Sequence, residues 1–302
     1  MALDIYDSLP MHRAMLADAP RQAAFQAAIA ASVRAGDVVL DVGSGTGILA
    51  MMAADAGAAR VYAVEPSPVA EVAKANALAY GGRITVIRNA IENVVLPEKV
   101  DVIVSEWLGA FGIDENLLPM LLVARDRWLK TGGRLLPATV TALVMPVESK
   151  GAALAAAAGK WGRELYWAAP GIPSEAALAP PQPMWTTDVA RTSIAEAALP
   201  MRTRLIFSAT RAARLGGFVT WFDADVGSGV PLTNAPGAPE THWGRFVFAC
   251  PGTPEVAVGD AIEFALTTIP GEPGWCHHAW SIAVGGQVLH CDTRGRRGFV
   301  LV

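Results

Sequence analysis

Two glutamates, Glu106 and Glu115, stand nine residues apart just after the apolar run 100–104. The run predicts a buried strand, so both acids are expected on the loop that leaves it. Carboxylates pair bidentately with flat, forked cations, and guanidinium is the side-chain group with that shape. The spacing therefore indicates a carboxylate clamp for a guanidinium group. The alternative at this point is a pair of solvated loop acids.

A glycine loop precedes these acids in the chain. Its sequence, Asp41-Val42-Gly43-Ser44-Gly45-Thr46-Gly47, lies between a predicted strand and a predicted helix. Glycine lets the backbone turn sharply and approach a ligand closely. The spacing fits neither the dinucleotide fingerprint nor a P-loop. Glu65 ends the next predicted strand, where an acid in nucleotide folds accepts from ribose hydroxyls. A plain glycine turn with a surface glutamate is the alternative.

Strands and helices alternate in the first half of the chain, which predicts a doubly wound, Rossmann-like parallel sheet. Helices are predicted over 11–35, 48–56, 68–80 and 117–129, the last closed by 131–133, and strands over 37–42, 61–65, 84–87 and 100–105.

The pattern changes after Pro137. A strand is predicted over 139–147, an alanine-rich helix over 152–167, and an irregular proline-rich segment over 170–183. Short β-like runs follow at 205–208, 218–222, 245–248, 261–268 and 280–284. Their regular spacing favours an antiparallel barrel or sandwich. We therefore expect two domains, 1–136 and 137–302, with the boundary near Leu136-Pro137.

Composition restricts the function classes. The 302 residues carry a net charge of −4, which gives no electrostatic case for nucleic acid or an anionic membrane. No run approaches the length of a membrane span, and the first residues lack the pattern of a signal peptide. Cys250, Cys276 and Cys291 show no metal-binding spacing and are expected to be reduced thiols of a cytoplasmic protein without a metal site.

Several segments resemble one family. The acid loop, residues 106–116 between the predicted strand and the predicted helix, is similar to the double-glutamate loop of the protein arginine methyltransferases. The glycine loop that begins with Asp41 matches the S-adenosylmethionine pocket of class I methyltransferases. The segments 12–21, 89–93, 123–129 and 241–243, the last reading Thr-His-Trp, also resemble that family. The resemblance implies a class I methyltransferase sheet, a C-terminal β-barrel and S-adenosyl-L-methionine as cofactor.

The resemblance also implies the site residues. Arg21 corresponds to the arginine that grips the methionine carboxylate of the cofactor, and Glu92 to the acid that accepts from the adenine amino group. The cofactor-binding residues expected on this basis are His12, Met15, Arg21, Asp41, Gly43, Ser44, Gly45, Glu65, Pro66, Ile91, Glu92 and Glu106. The substrate-binding residues expected are Tyr6, Glu106, Trp107, Glu115 and Trp243.

A mechanism follows from these roles. Guanidinium has a pKa above about 12, so no side chain deprotonates it outright. Glu106 and Glu115 are expected to hold the cation, with Glu115 helping to activate the attacking nitrogen. His242, paired with Asp18, is expected to accept or relay the released proton. For Asp18 the alternative is a solvent-facing helix acid.

The acceptor stays open at this point: a protein, a peptide or free arginine. The alternatives are a non-catalytic cofactor-binding scaffold, or transfer to lysine or to a small-molecule oxygen. Two departures from the family pattern bear on the acceptor pocket. Leu9 replaces an expected aromatic residue, and Leu117 stands where methionine is common in the enzymes that dimethylate asymmetrically.

The resemblance further implies a homodimer. A proline-rich arm over 166–185 is expected to dock on a second copy. Its predicted apolar anchors are Trp167, Leu178, Met184 and Trp185. An undocked interdomain loop is the alternative.

Overall fold

The protein is described by a computed structural model that covers residues 9–149, 171–250 and 252–293, together with the backbone of Tyr166–Ala169. Tyr6, predicted to contact the substrate, lies outside the described residues. Most of the helix predicted over 152–167 also lies outside them. Its last two positions belong instead to a strand, Tyr166–Ala169, which corrects that prediction.

The first half of the chain forms a five-stranded parallel sheet with the strand order β3-β2-β1-β4-β5. β1, Val38–Val42, is buried along its whole length, including Asp41, as expected for a strand inside a parallel sheet. The predicted parallel sheet is confirmed. Its strands are β1 (Val38–Val42), β2 (Arg60–Val64), β3 (Ile84–Ile87), β4 (Val100–Val104) and β5 (Leu129–Leu136), and its helices are α3 (Ile48–Asp55), α4 (Ala70–Ala77) and α5 (Leu118–Trp128).

The single helix predicted over 11–35 is two helices, α1 (Leu9–Ala17) and α2 (Ala19–Ser32). The break falls at Asp18, whose side chain accepts a hydrogen bond from the Arg21 N–H at 3.0 Å and caps α2. Pro20 stands in the first turn of α2, where its missing N–H costs nothing. The cap thus turns the chain at a residue predicted for the catalytic site.

β5 was not predicted, because residues 131–133 were expected to close the preceding helix. α5 instead runs directly into β5, which pairs parallel with β4 through a register shift near Val102. The strand then leads into an antiparallel second half across the Leu136-Pro137 peptide bond.

The described strands of the second half form two antiparallel sheets. One holds β6 (Thr139–Glu148), β7 (Tyr166–Ala169), β8 (Gln182–Asp188), β10 (Ala213–Asp225), β11 (Pro231–Thr233), β12 (Arg245–Ala249) and β13 (Glu255–Val256). The other holds β9 (Met201–Ser208), β14 (Ala261–Pro270), β15 (Cys276–Val284) and β16 (Gln287–Asp292). A short helix, α6 (Ile194–Ala197), connects β8 to β9. The antiparallel architecture is confirmed, while its closure into a barrel stays a prediction.

Several boundaries differ from expectation. β8 begins inside the segment predicted to be irregular, β10 is much longer than the predicted run, and β16 was missed. Two predicted dimer anchors, Leu178 and Met184, are buried in the core of this chain, and Trp185 is half-buried against Phe111. Leu178 and Met184 are therefore held inside the molecule, which corrects their predicted role as anchors, whereas the role of Trp185 stays a prediction.

One hydrophobic core joins the two halves. Phe111, on the loop after β4, packs edge-on against Phe246 and Phe248 of β12, at ring-centroid distances of 5.5 and 6.0 Å. The loop that carries both glutamates is therefore clamped between the parallel sheet and the antiparallel strands. Among the described residues, no helix is long and apolar enough to cross a membrane.

Candidate active site

A cavity of about 140 Å³ lies where the carboxyl ends of β1, β2 and β4 meet the start of α3. This edge is where parallel α/β sheets bind ligands. The residues that line it are His12, Met15, Leu16, Arg21, Val42, Gly43, Ser44, Gly45, Thr46, Ile48, Leu49, Glu65, Pro66, Ser105, Glu106, Trp107, Leu108, Glu115, Leu117, Met120 and His242. Most predicted site residues are thus brought together.

The glycine loop is folded against β2. The N–H groups of Gly43 and Ser44 both donate to the Val64 carbonyl, at 2.9 and 3.0 Å. Gly45 has a φ of +52°, and a Cβ there would come within 2.8 Å of the His12 ring. Glycine is therefore required at this position both by its backbone conformation and by the close approach of α1.

Glu65 holds the glycine loop from the end of β2. One carboxylate oxygen accepts from the Gly45 N–H and the other from the Ser67 N–H, each at 2.8 Å. Each oxygen has a further lone pair for a hydroxyl donor. The Ser44 hydroxyl lines the same cavity and is buried without a hydrogen-bond partner. A ligand with several hydroxyl groups fits these polar atoms.

Asp41 does not line the cavity. It is fully buried behind the loop, where one oxygen accepts from the Ala50 N–H in the first turn of α3 at 3.0 Å and the other has no partner. Burial raises the pKa of Asp41 to about 7, with a smaller contribution from the charge of Glu65, although the Ala50 hydrogen bond opposes the shift. The structure therefore places Asp41 in a supporting position rather than in contact with a ligand.

Asp114 closes the acid loop, a function that the sequence analysis missed. Its carboxylate accepts from the N–H groups of Ala110 and Phe111, at 3.0 and 2.9 Å. Burial raises the pKa of Asp114 to about 6, while these backbone hydrogen bonds oppose the shift. Gly109 makes room for the carboxylate, since a Cβ there would lie 2.4 Å from it. The sequence signal for this contact was Asp114, an aspartate five residues after Gly109.

Asn234 is the second missed residue. It is completely buried, accepts from the Phe222 N–H and donates to the carbonyls of Ala110 and Gly244. It thus ties the acid loop to the antiparallel sheet. Nothing in the local sequence around Asn234 signals its contact with the acid loop, because Ala110 lies 124 positions away in the chain.

Glu106 is held at both oxygens. One accepts from the Arg21 guanidinium through Nε at 3.2 Å and Nη2 at 3.0 Å, and the other accepts from the Leu108 N–H at 2.9 Å. The two charged side chains are only 6% and 9% exposed, so their attraction is weakly screened. A residue expected to grip the cofactor and one expected to hold the acceptor are thus in direct contact.

Glu115 lines the same cavity from the other end of the acid loop. Its backbone carbonyl accepts from the Gly274 N–H at 2.6 Å, which links the loop to the turn between β14 and β15. The two glutamates therefore reach one cavity from opposite ends of a closed loop. Their action as a carboxylate clamp stays a prediction.

His242 and Asp18 meet across 224 positions of sequence. His242 Nδ1 lies 2.8 Å from Asp18 Oδ2, and the same oxygen accepts from the His242 N–H at 2.8 Å. Burial acts to raise the pKa of Asp18, but hydrogen bonds from His242 and Arg21 outweigh it and hold the pKa below its ordinary value. Asp18 is therefore an anion that orients the imidazole, not a solvated helix acid.

The two predicted substrate-binding tryptophans are placed differently. Trp107 lines the cavity, but the Trp243 ring is buried in the core and contacts Phe222 edge-on at 5.1 Å. Trp243 Nε1 donates to the Leu108 carbonyl at 2.6 Å, so its function is to hold the acid loop. Its predicted contact with the substrate is therefore corrected.

Two expected cofactor residues lie outside the cavity lining. Ile91 and Glu92 belong to a short 3-10 helix after β3, where Ile91 is buried and Glu92 is exposed. The structure brings neither into the set that includes Glu65 and Glu106. Their contact with adenine stays a prediction.

A second cavity, of about 340 Å³, lies on the other side of the acid loop. Ile113, Asn116 and Leu118 line it, whereas Glu115 and Leu117 line the first cavity. The loop is therefore a wall between two cavities. No cluster of possible metal ligands occurs among the residues that the structure describes.

Comparison with known proteins places these features in context. Residues 39–133 match a family model described as a methyltransferase domain, and residues 164–280 match one described as an arginine methyltransferase oligomerization subdomain. Protein arginine N-methyltransferase 6 of Danio rerio is 41% identical over 153 residues, which cover 49% of this chain and 43% of that protein. The chain thus spans less than half the length of this curated relative.

Solved structures match along nearly the whole chain. The crystal structure of Arabidopsis thaliana protein arginine methyltransferase 10, in an open conformation, superposes with a TM-score of 0.84 at 27% identity and covers 96% of this chain and 98% of that one. The Trypanosoma brucei PRMT1 enzyme–prozyme heterotetramer with AdoHcy gives a TM-score of 0.82 at 25% identity, with coverage of 95% and 98%.

Proposed function

Because this chain belongs to the protein arginine methyltransferase family, we propose that it transfers a methyl group from S-adenosylmethionine to an arginine guanidinium. The observation that carries the proposal is the shared cavity, where Glu106, Glu115 and His242 face the glycine loop and Glu65. A lysine or hydroxyl acceptor has little use for two clamping carboxylates. A scaffold without catalysis has no use for an oriented histidine.

S-adenosylmethionine is the methyl donor of this methyltransferase domain. When bound, it supplies an electrophilic methyl group attached to a sulfonium sulfur. Glu65 and the Ser44 hydroxyl offer acceptors for its ribose hydroxyls, and Gly43 and Gly45 let the backbone approach it closely. Arg21 lies at the same cavity and supplies the cation for its carboxylate.

Glu106 and Glu115 hold the acceptor. Their carboxylates hydrogen-bond the guanidinium and localise its positive charge on the nitrogens that they contact, which leaves the remaining nitrogen as the nucleophile. Alignment of the acceptor supplies much of the acceleration. The placement of negative charge in a partly water-excluded cavity adds to it. The Arg21–Glu106 contact supports this assignment for Glu106, since a guanidinium already donates to its carboxylate through two nitrogens.

His242 receives the proton that the methylated nitrogen gives up. Because Nδ1 is engaged by Asp18, Nε2 is the ring nitrogen that exchanges a proton with the cavity. The double contact of Asp18 with the His242 backbone and ring keeps the imidazole in one orientation. Asp18 thus acts as a positioning residue.

The acceptor arginine belongs to a protein or peptide in this proposal, and the chain divides into a cofactor domain, 1–136, and a substrate domain, 137–302, whose sheets close into a barrel. The match to an oligomerization subdomain over 164–280 supports a homodimer. Since Leu178 and Met184 lie in the core, the docking arm precedes them. The burial of all three cysteines is compatible with a cytoplasmic location. Light scattering should give about twice the 31.6 kDa chain mass, and a monomer would refute the dimer.

Transfer of a labelled methyl group tests the proposal. The purified chain is incubated with S-adenosylmethionine labelled on its methyl group and with arginine-containing peptides, and the incorporated label is counted. Incorporation that the Glu115→Gln variant loses is the expected result. If the wild type binds the cofactor but labels no arginine peptide or free arginine, the proposed function is wrong.

A further inference from the structure

A tight turn, residues 271–275, joins β14 to β15 and reads Gly-Glu-Pro-Gly-Trp. It is closed by two backbone hydrogen bonds, from the Gly271 N–H to the Trp275 carbonyl at 3.2 Å and from the Trp275 N–H to the Glu272 carbonyl at 3.0 Å. Two bonds across five residues give the turn a defined shape.

Three contacts attach this turn to the acid loop. The Gly274 N–H donates to the Glu115 carbonyl at 2.6 Å, the Asn116 side-chain amide donates to the Gly271 carbonyl at 2.6 Å, and the Cys276 thiol lies 3.6 Å from the Ile113 carbonyl. Asn116 has a φ of 51°, a conformation that such contacts can maintain. The turn therefore stands beside Glu115, at the acceptor end of the site.

The turn presents an exposed aromatic ring and a charge. Trp275 is 41% exposed, and Glu272 is also exposed. Along β15 the buried positions include Cys276 and His278, so the strand alternation puts Trp275 on the face opposite the core. Tryptophan offers a large, rigid contact area at low entropic cost, and exposed aromatic residues of this kind anchor binding partners.

The surface beyond the turn continues into the second cavity. Pro270 and Cys276, at the two ends of the turn, line that cavity together with Ile113 and Asn116 of the acid loop. Asp188, Arg191 and Glu196 also line it, and Arg191 pairs with Asp188 at 3.4 Å, so this groove carries charges of both signs. An extended chain that places one arginine at Glu115 and crosses the acid loop thus meets the aromatic ring and the carboxylate of the turn.

We propose that the 271–275 turn binds the acceptor polypeptide beside the methylated arginine. Trp275 packs on the backbone of the acceptor chain, and Glu272 pairs with a neighbouring cation. The inference rests on the proposed arginine methyl transfer and deepens it, because it makes a polypeptide with flanking basic residues the preferred acceptor over free arginine. It assigns specificity to two side chains outside the catalytic cavity.

The test compares a peptide with a minimal acceptor. The peptide is acetyl-Gly-Gly-Lys-Gly-Arg-Gly-Lys-Gly-Gly-amide, and the minimal acceptor is acetyl-arginine amide. Loss of one aromatic contact in Trp275→Ala should raise the Kd and the KM for the peptide about tenfold. Trp275→Phe should restore most of the affinity. The kcat/KM for acetyl-arginine amide should not change.

Two further variants sharpen the comparison. Glu272→Gln should weaken binding of the lysine-containing peptide about threefold, as expected for one exposed charge pair, and should not affect a version with alanine in place of both lysines. Val258→Ala is the matched control, because Val258 is an exposed apolar residue, 69% exposed, next to the turn before β14. This control should leave all constants unchanged.

Peptide affinity is measured independently of turnover, by fluorescence anisotropy of the labelled peptide with protein saturated with S-adenosylhomocysteine. Equal affinity of wild type and Trp275→Ala, or no binding to either, overturns the inference. An equal loss of kcat/KM on peptide and acetyl-arginine amide also overturns it, since Trp275 would then only support Glu115. Binding that depends on Trp275 without methyl transfer refutes the proposed function instead and leaves the docking surface standing.

Discussion

Glutamine at positions 106 and 115 keeps the shape of each clamp residue and removes its charge, with different structural consequences. Glu106 accepts from Arg21 at one oxygen and from the Leu108 N–H at the other. A glutamine there must turn its amide hydrogens toward one of these donors. Losing one charge-assisted hydrogen bond should lower the free energy of unfolding by about 2 kcal/mol in Glu106→Gln.

Turnover should fall in both variants. Removal of one transition-state electrostatic contact is expected to cost about 100-fold in kcat, or about 2.7 kcal/mol of barrier. Because Glu106 also anchors Arg21, Glu106→Gln should additionally alter the Kd for S-adenosylmethionine, whereas Glu115→Gln should leave it nearly unchanged. Labelled-methyl transfer at saturating substrates gives kcat, calorimetry gives the Kd, and urea unfolding gives the stability.

Glu255→Gln is the control for this pair, because Glu255 is a strongly exposed glutamate that pairs with Arg214 at the surface and does not line the cavity. It should keep wild-type turnover and stability. Near-full activity in both clamp variants would refute the reasoning, since the two carboxylates would then be structural. A loss in Glu106→Gln alone, with Glu115→Gln fully active, would refute the two-residue clamp.

Three further predictions concern the supporting residues. Asp18→Asn should lower kcat by about 10- to 100-fold in steady-state kinetics, because His242 loses its charged partner. The Kd for the cofactor, measured by calorimetry, should stay within about twofold of the wild-type value. An unchanged kcat would exclude Asp18 from the mechanism. Glu65→Ala should weaken S-adenosylmethionine binding by about 1–3 kcal/mol in calorimetry, and NAD should not bind to the wild type; binding of NAD alone would contradict the cofactor assignment. The pKa of Asp41 is raised to about 7 in the folded state, so the native chain keeps a proton that the unfolded chain has already released. The free energy of unfolding must therefore fall as the pH rises from the unfolded-state pKa to the folded-state pKa. Titration of Asp41 alone should lower the free energy of unfolding by about 2 kcal/mol between about pH 5 and 7. Urea unfolding of Asp41→Asn should not show this decrease with pH.

Local patterns were sufficient for the parallel sheet and the glycine loop. β1 is apolar except for Asp41, and three glycines at alternate positions directly after it predict a sharp turn, so the sequence alone identifies both. β5 was not predictable in this way, because its Lys-Thr-Gly-Gly start is exposed and carries no strand pattern. Its pairing with β4, a tertiary contact, decides its structure.

The residues of the candidate site fall into the same two groups, those that the sequence identifies and those that only tertiary contacts reveal. Glu106 and Glu115 could be found from their chemistry and spacing, and His242 from the resemblance of residues 241–243 to the family's Thr-His-Trp segment. The supporting contacts could not, since Asn234 reaches Ala110 across 124 positions and Trp243 reaches Leu108 across 135. For Trp243 the resemblance indicated the correct region of the fold but the wrong partner. A tryptophan beside a substrate-binding loop can contact either the substrate or the loop, and the sequence does not distinguish the two.

The position of the transferred methyl group tests the central claim most directly. A peptide that contains one arginine, one lysine and one serine is incubated with the wild-type chain and S-adenosylmethionine labelled on its methyl group, and the product is fragmented by tandem mass spectrometry. We expect the label on a guanidinium nitrogen of the arginine, and about 100-fold slower labelling with Glu115→Gln. A label on the lysine amine or the serine oxygen would contradict it.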